Sequence, residues 1–173
     1  MGYISHIDGS YYEGDKQYGD QEVPQRSSAN HQWINGAWVE DIAKARLIAA
    51  AAIDVQAGKT RLKYITDVAG QSETYLSKAS DAVAYKTAGY PSASIANYPM
   101  VQAEGRAIYG VAPSAAQYQA AADGIIATEA QWLQLAAMIE QQRRAGKIAV
   151  AGAATGAEVA AAQQAAIAAL SAL

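Results

Sequence analysis

The residues from which this chain could build chemistry are few: two histidines, a Gly-Lys-Thr triplet, scattered carboxylates, and no cysteine at all. Ala57-Gly58-Lys59-Thr60 imitates the end of a phosphate-binding loop. Such a loop needs a glycine five residues before the Gly-Lys pair, so that the backbone can fold around phosphates. That position is Ile53, and the flanking residues read as helix, so Lys59 is expected as a solvated charge on a helix surface. His6 and His31 would need carboxylates around them to hold a metal in the absence of thiolates. Asp8, Glu13, Asp15, Asp20 and Glu22 lie near in sequence but show no ligand spacing, and are expected as solvated loop acids. No Gly-x-Ser-x-Gly elbow offers a serine nucleophile. Paired carboxylates for glycoside hydrolysis are defined by the fold rather than by spacing, and no acidic residue stands in a recognisable context for them. The residues therefore predict a protein that is not an enzyme, with no catalytic site, metal or cofactor.

A different chemistry is better represented. Tyr11 and Tyr12, with Tyr3 and Tyr18 nearby, sit on a glycine-rich segment; Val23-Pro24 follows, then Trp33 and Trp38. Aromatic side chains with a polar tip suit docking onto another protein surface. Tyr11, Tyr12, Val23, Pro24, Trp33 and Trp38 are the candidate partner-binding residues, with intramolecular packing of the same side chains as the competing reading. Arg143, Arg144 and Lys147 form a small basic cluster near an expected helix end. There they would complement the helix dipole, with Glu140 three and four residues before the arginines occupying part of their charge.

These residues sit on three segments: an extended arm over 1–30, a β-hairpin over 31–40, and an Ala-rich helical domain over 41–173. Gly9, Gly14, Gly19 and Pro24 break every possible helix in the arm. In the hairpin, Asn35-Gly36 is the dipeptide best suited to a two-residue type I′ turn. That turn makes Ile34 and Ala37 the hydrogen-bonded pair, and sets Trp33 opposite Trp38 where side chains approach most closely. Beyond it, apolar residues recur at helical spacing. A first helix begins around Val39 to Asp41, with negative charge at the positive end of its dipole. It reaches about Ala57, and either continues to about Thr87 or is interrupted near Gly58 and Thr66-Asp67-Val68-Ala69-Gly70. Gly89-Tyr90-Pro91 ends that unit. Pro99 opens a helix that Gly110 stops. Ser114-Ala115-Ala116-Gln117 and Thr155-Gly156-Ala157-Glu158 match capping boxes, which open a helix of thirty or so residues and an Ala-rich terminal helix. The fold class is mainly α: a helical bundle or long helical hairpin preceded by the arm and the hairpin.

Composition bounds the function. The chain has 173 residues, the size of one ordinary domain. A formal net charge of −3 gives no broad positive field, and nucleic-acid binding draws most of its affinity from such a field; no nucleic acid is expected as a partner. Met1-Gly2-Tyr3-Ile4-Ser5-His6 shows no secretory signal, and Glu158, Gln163 and Gln164 interrupt the terminal Ala-rich stretch, so no membrane span is expected. About a quarter of the residues are Ala, and Phe is absent. Ala favours helix but buries little surface, so further packing against copies of itself or a permanent partner is expected.

Tyr11-Tyr12-Glu13-Gly14-Asp15, Val23-Pro24-Gln25-Arg26 and Trp33-Ile34-Asn35-Gly36-Ala37-Trp38-Val39, followed by Glu40-Asp41 and a helix, resemble tail proteins of tailed bacteriophages. The nearest named group is the tail fibre assembly family. In that group a tryptophan hairpin with an acidic residue stands just before a long helix, which here falls on Trp33, Trp38, Val39 and Asp41. The match covers roughly residues 9–55. Arg61 to Lys78 and Tyr98 to Lys147 look like the helical region of phage tail proteins, with low motif specificity. Ser27 stands where the pattern often has Pro after Arg26. The resemblance implies no catalytic residue. It implies a tail or tail-fibre binding protein, acting either as a fibre assembly or attachment factor or as a structural virion component in symmetric copies. Its expected place is the virion tail, or the host cytoplasm during assembly.

Overall fold

Where an extended arm is expected, the chain doubles back on itself. Gly2–Ile4 (β1) pairs antiparallel with both Tyr11–Tyr12 (β2) and Gln21–Val23 (β3), giving a three-stranded sheet in the order β2-β1-β3. Gly9 and Gly19 hold φ of 70° and 87° at the reversals, a region open to glycine at little cost. The structure is a computed structural model that describes residues 1–26, 28, 30–64 and 71–173, apart from the side chains of 71 and 72. Position 27, the departure from the phage pattern, lies outside the described residues.

His31–Ile34 (β4) and Ala37–Glu40 (β5) form the hairpin in the expected register, Trp33 against Trp38 and Ile34 against Ala37. Asn35 and Gly36 both take positive φ, 50° and 86°, as a type I′ turn requires. The two indoles meet edge to face at 5.2 Å.

Helices make up most of the remaining chain. Ile42–Leu62 (α1) starts on Asp41, whose carboxylate accepts from the Lys44 backbone N–H at 2.9 Å. Asp41 thus caps the helix directly, and α1 runs five residues past the expected Ala57, because a solvent-facing Gly58 costs only about 1 kcal/mol. The stretch 66–70, where a bend or break is expected, lies outside the described residues. Gln71–Thr87 (α2) closes with Gly89 at φ 79°, the Gly89 N–H donating to the Lys86 carbonyl and the Tyr90 N–H to that of Tyr85. This is the paired closure that a left-handed glycine permits. A short 3-10 segment, Ser92–Asn97, leads into Pro99–Tyr109 (α3), which has Pro at its start and Gly110 at its end. Asp81 of α2 accepts from the Met100 and Val101 backbone N–H groups at 2.8 and 3.0 Å, so a neighbouring helix supplies the cap. Ala115–Gly152 (α4) and Gly156–Ser171 (α5) both begin in complete capping boxes, on Ser114 and Thr155.

At 38 residues, α4 is roughly 57 Å long, long enough to serve two cores. Its first half packs with α2 and α3 around Tyr85, Val101, Tyr118 and Ile125. Its second half packs with α1 and α5 around Ile53, Ile139, Val150 and Leu170. Glycines set the closest approaches. A Cβ at Gly105 would meet the Tyr118 ring 2.6 Å away, and one at Gly146 would collide with the Ala166 Cβ. Carbonyls at the end of α5 are satisfied from α1 and the residue that caps it: Thr60 Oγ1 donates to Leu170 O at 2.9 Å, and Lys63 Nζ to Ser171 O at 3.0 Å.

The basic cluster is corrected in one respect. Arg143 and Lys147 do not stand at a helix end, because α4 continues to Gly152. Arg143 pairs with Glu140 at 2.8 Å, as its spacing predicts, and also with Asp54 of α1 at 2.6 Å; Lys147 reaches Asp54 at 2.7 Å. These contacts hold the Asp54 carboxyl below its ordinary range, Lys147 contributing most and Arg143 next. The cluster clamps α1 to α4.

Candidate functional site

The six candidate docking residues fall in or beside the N-terminal sheet and hairpin, and three of them, Tyr11, Pro24 and Trp33, converge on the indole of a fourth, Trp38. Trp38 receives the Tyr11 ring edge-on at 5.2 Å on one side and Trp33 on the other, while its Nε1–H donates to the Pro24 carbonyl at 2.8 Å. Sheet and hairpin are joined there. Tyr11 also lies against Gly2, where any Cβ would run into its ring. The Arg26 guanidinium covers Tyr11 at 4.7 Å from the ring centre. The Tyr11 hydroxyl donates to Glu13 at 2.7 Å and accepts from the Arg26 N–H at 3.1 Å. A cation over an aromatic face contributes about 0.5–1 kcal/mol at an exposed site. Arg26 carries no docking role in the sequence reading; its distance of fifteen residues from Tyr11 leaves no local signal.

Tyr12 points the other way, as alternate residues of a strand must. It stacks on Tyr3 at 5.6 Å, and its hydroxyl donates to Asp20. Asp20 overturns the expectation of a solvated acidic loop, since its side chain is only 2% exposed. It accepts from the His6 backbone N–H at 3.0 Å and lies 2.7 Å from His6 Nδ1. Burial is tolerated because three donors replace water. Hydrogen bonds from Tyr12 first and His6 next lower the Asp20 carboxyl to about 2. Val23, 2% exposed, fills the interior beside this network, whereas Pro24 lies at the surface.

The outward residues of this unit are different ones. Tyr18 is 98% exposed and Ile7 84%, with Ile34 and Val39 on the hairpin both at 45%. Tyr18 is among the tyrosines that the sequence reading associates with docking, beside Tyr11 and Tyr12; Ile7, Ile34 and Val39 are not. Their availability depends on which tyrosines the fold consumes.

The remaining chemical candidates of the sequence are placed as follows. Gly58-Lys59-Thr60 lies inside α1, and the Thr60 hydroxyl is spent on Leu170. His31 Nδ1 lies 2.6 Å from Ser28 Oγ. Among the described residues no three of His, Cys, Asp and Glu group as metal ligands, and no helix is long and apolar enough to cross a membrane. A cleft of about 370 Å³ between α2, α3 and α4 is lined by Ile108, Tyr109 and Ile125 among others. Its two central charges, Lys78 and Glu104, neutralise each other at 2.6 Å.

Compared with protein-family models, curated proteins and solved structures, the chain gives no significant match.

Acid should loosen the N-terminal sheet in a defined window. Asp20 titrates below its ordinary 3.8 when folded, so it contributes stability in full above that value and loses it as pH falls toward about 2. Amide exchange at His6, followed from pH 4 downward, should accelerate across that interval. In Asp20→Asn the exchange should already be fast at neutral pH and should lose this pH dependence.

Proposed function

We propose that this chain is a non-enzymatic protein of a tailed-bacteriophage tail, binding tail or tail-fibre components as a fibre assembly or attachment factor. The observation that carries the reading is the tryptophan hairpin, Trp33 across from Trp38, set one capping residue ahead of a long helix as the resemblance to the tail fibre assembly family implies. The N-terminal unit is the working surface in this reading. Its inner aromatics, Tyr11, Trp33 and Trp38, fix the shape, and exposed Tyr18, Ile7, Ile34 and Val39 make contact. The helical part is a bundle in two halves that share α4, and it acts as the rigid base from which that surface projects. Other phage tail proteins and copies of itself are the partners, in the virion tail or in the host cytoplasm during assembly.

One observation favours the alternative, a structural virion component in symmetric copies. The outer face of α1 carries exposed apolar side chains between Leu47 and Leu62, with Leu47 73% and Val55 57% exposed, as suits a helix covered by another chain. Mass spectrometry of purified mature virions separates the two. An assembly factor should be absent or far below the copy number of the fibre, and a structural component should be present in fixed ratio to it. Failure to recover the chain with any tail protein, either from virions or from infected cells, would overturn both.

A further inference from the structure

The cleft between α2, α3 and α4 carries a charge that its own residues do not compensate. On the α4 side Ala120 and Ala121 stand four and three residues before Gly124, so small side chains share one ridge of the helix. A Cβ at Gly124 meets no atom within 4 Å. Tyr75 of α2 and Tyr109 of α3 line the walls, both partly exposed, while Ile125 is nearly buried beneath them. Three ionised groups line the same space: Lys78, Glu104 and Glu129. Lys78 and Glu104 cancel at 2.6 Å. Half-buried Glu129 enters no ion pair among the described residues, which leaves the cleft one net negative charge. The last turn of α3, with Ile108 and Tyr109, belongs to the lining as well, and a helix C-terminus adds partial negative charge. Arg106 of that turn is exposed and outside the lining.

We infer that this cleft binds a small organic ammonium ion whose apolar body is the size of a single ring. Its volume of about 370 Å³ lies at the small end of ligand sites, which combine an apolar lining with a few placed polar groups. Ala, Ile and Tyr side chains supply the lining, and Glu129 supplies the one uncompensated charge. A half-buried carboxylate attracts a cation more strongly than one in bulk water does. An anion would meet Glu129 with Lys78 already engaged, and a neutral molecule of the same shape would gain the apolar contact alone. Tyrosine faces add an attraction reserved for cations. A hard metal ion is poorly served, because it requires about six oxygen ligands and Glu104 is already paired. An organic cation asks for apolar area and one carboxylate, which are what the cleft offers. This ligand goes beyond the tail reading and does not depend on it.

Benzylammonium, benzyl alcohol and benzoate share a shape and differ in charge, so together they isolate the electrostatic part. Titrated into the isotope-labelled full chain at neutral pH and constant ionic strength, benzylammonium should shift the amide signals of Gly124 and Ile125 with a millimolar Kd. Benzyl alcohol should bind about 10-fold more weakly, and benzoate should not bind measurably. Glu129→Gln keeps the shape of the side chain and removes its charge, so it should bring benzylammonium down to the level of benzyl alcohol. Gly124→Leu fits the folded chain and favours helix, but fills the space the ring needs; it should remove binding of both compounds with unchanged circular dichroism. Benzyl alcohol binding as tightly as benzylammonium, ammonium binding that survives either substitution, or no shift at Gly124 and Ile125 with any of the three compounds would overturn the proposal.

Discussion

Gly146→Leu should lower the thermal midpoint of the helical part by about 5–10 °C, more than any surface change in α4. Gly146 sits where α4 passes α5. A Cβ there would overlap the Ala166 Cβ and press within 3.3 Å of Ile53 Cδ1, and neither neighbour has room to move, since Ile53 is fully buried and Ala166 nearly so. Overpacking a formed core costs about 1–3 kcal/mol, and each kcal/mol shifts the midpoint by about 2–4 °C in a chain of this size. Gly124→Ala is the matched control on the same helix. A Cβ there meets nothing within 4 Å, so that substitution should be neutral or stabilise by up to about 1 kcal/mol. Thermal melts followed by circular dichroism would show the contrast; equal midpoints for the two variants would mean that α4 and α5 do not approach this closely.

What was legible in the sequence is what neighbouring residues decide among themselves. The Trp33–Trp38 register follows from Asn35-Gly36, because a two-residue turn leaves one pairing. The starts of α4 and α5 follow from Ser114 with Gln117 and Thr155 with Glu158, because each box closes within one helical turn. Pro99, Gly89 and Gly110 mark ends for equally local reasons. What was hidden depends on distant residues. The acids of the first segment look alike in composition, and only the meeting of Tyr12 and His6 around Asp20 makes one of them a buried anchor. Arg143 and Lys147 looked like charges at a helix end because their partner Asp54 lies about ninety residues away. The sharing of α4 between two cores is equally invisible in its own sequence, since an apolar stripe does not say which helix covers it.

The same distinction applies to the candidate site. The six docking residues chosen in sequence are aromatic or apolar and cluster in one region. The fold uses Tyr11, Trp33 and Trp38 to hold the sheet on the hairpin, Tyr12 to hold Asp20, and Val23 to fill the interior. Four converge, as a docking surface would require, but they converge on each other. In the proposed reading, contact with a partner falls instead to Tyr18, Ile7, Ile34 and Val39, the exposed side chains of this unit.

Removal of residues 1–28 tests most directly the claim that this N-terminal unit binds the tail partner. Neither helical core includes a residue before position 40, and the hairpin keeps its own register. The shortened chain should therefore retain its helical circular dichroism and its cooperative melt. It loses β1 to β3, Tyr18, Ile7 and the Pro24 carbonyl that orients Trp38. Tagged full-length and shortened chains, expressed in infected cells and purified in parallel, should differ in one respect: the full chain brings tail or fibre proteins with it, and the shortened chain, folded and equally abundant, brings none. Recovery of the same phage proteins at the same yield by the shortened chain would contradict the account and place the binding surface on the helices.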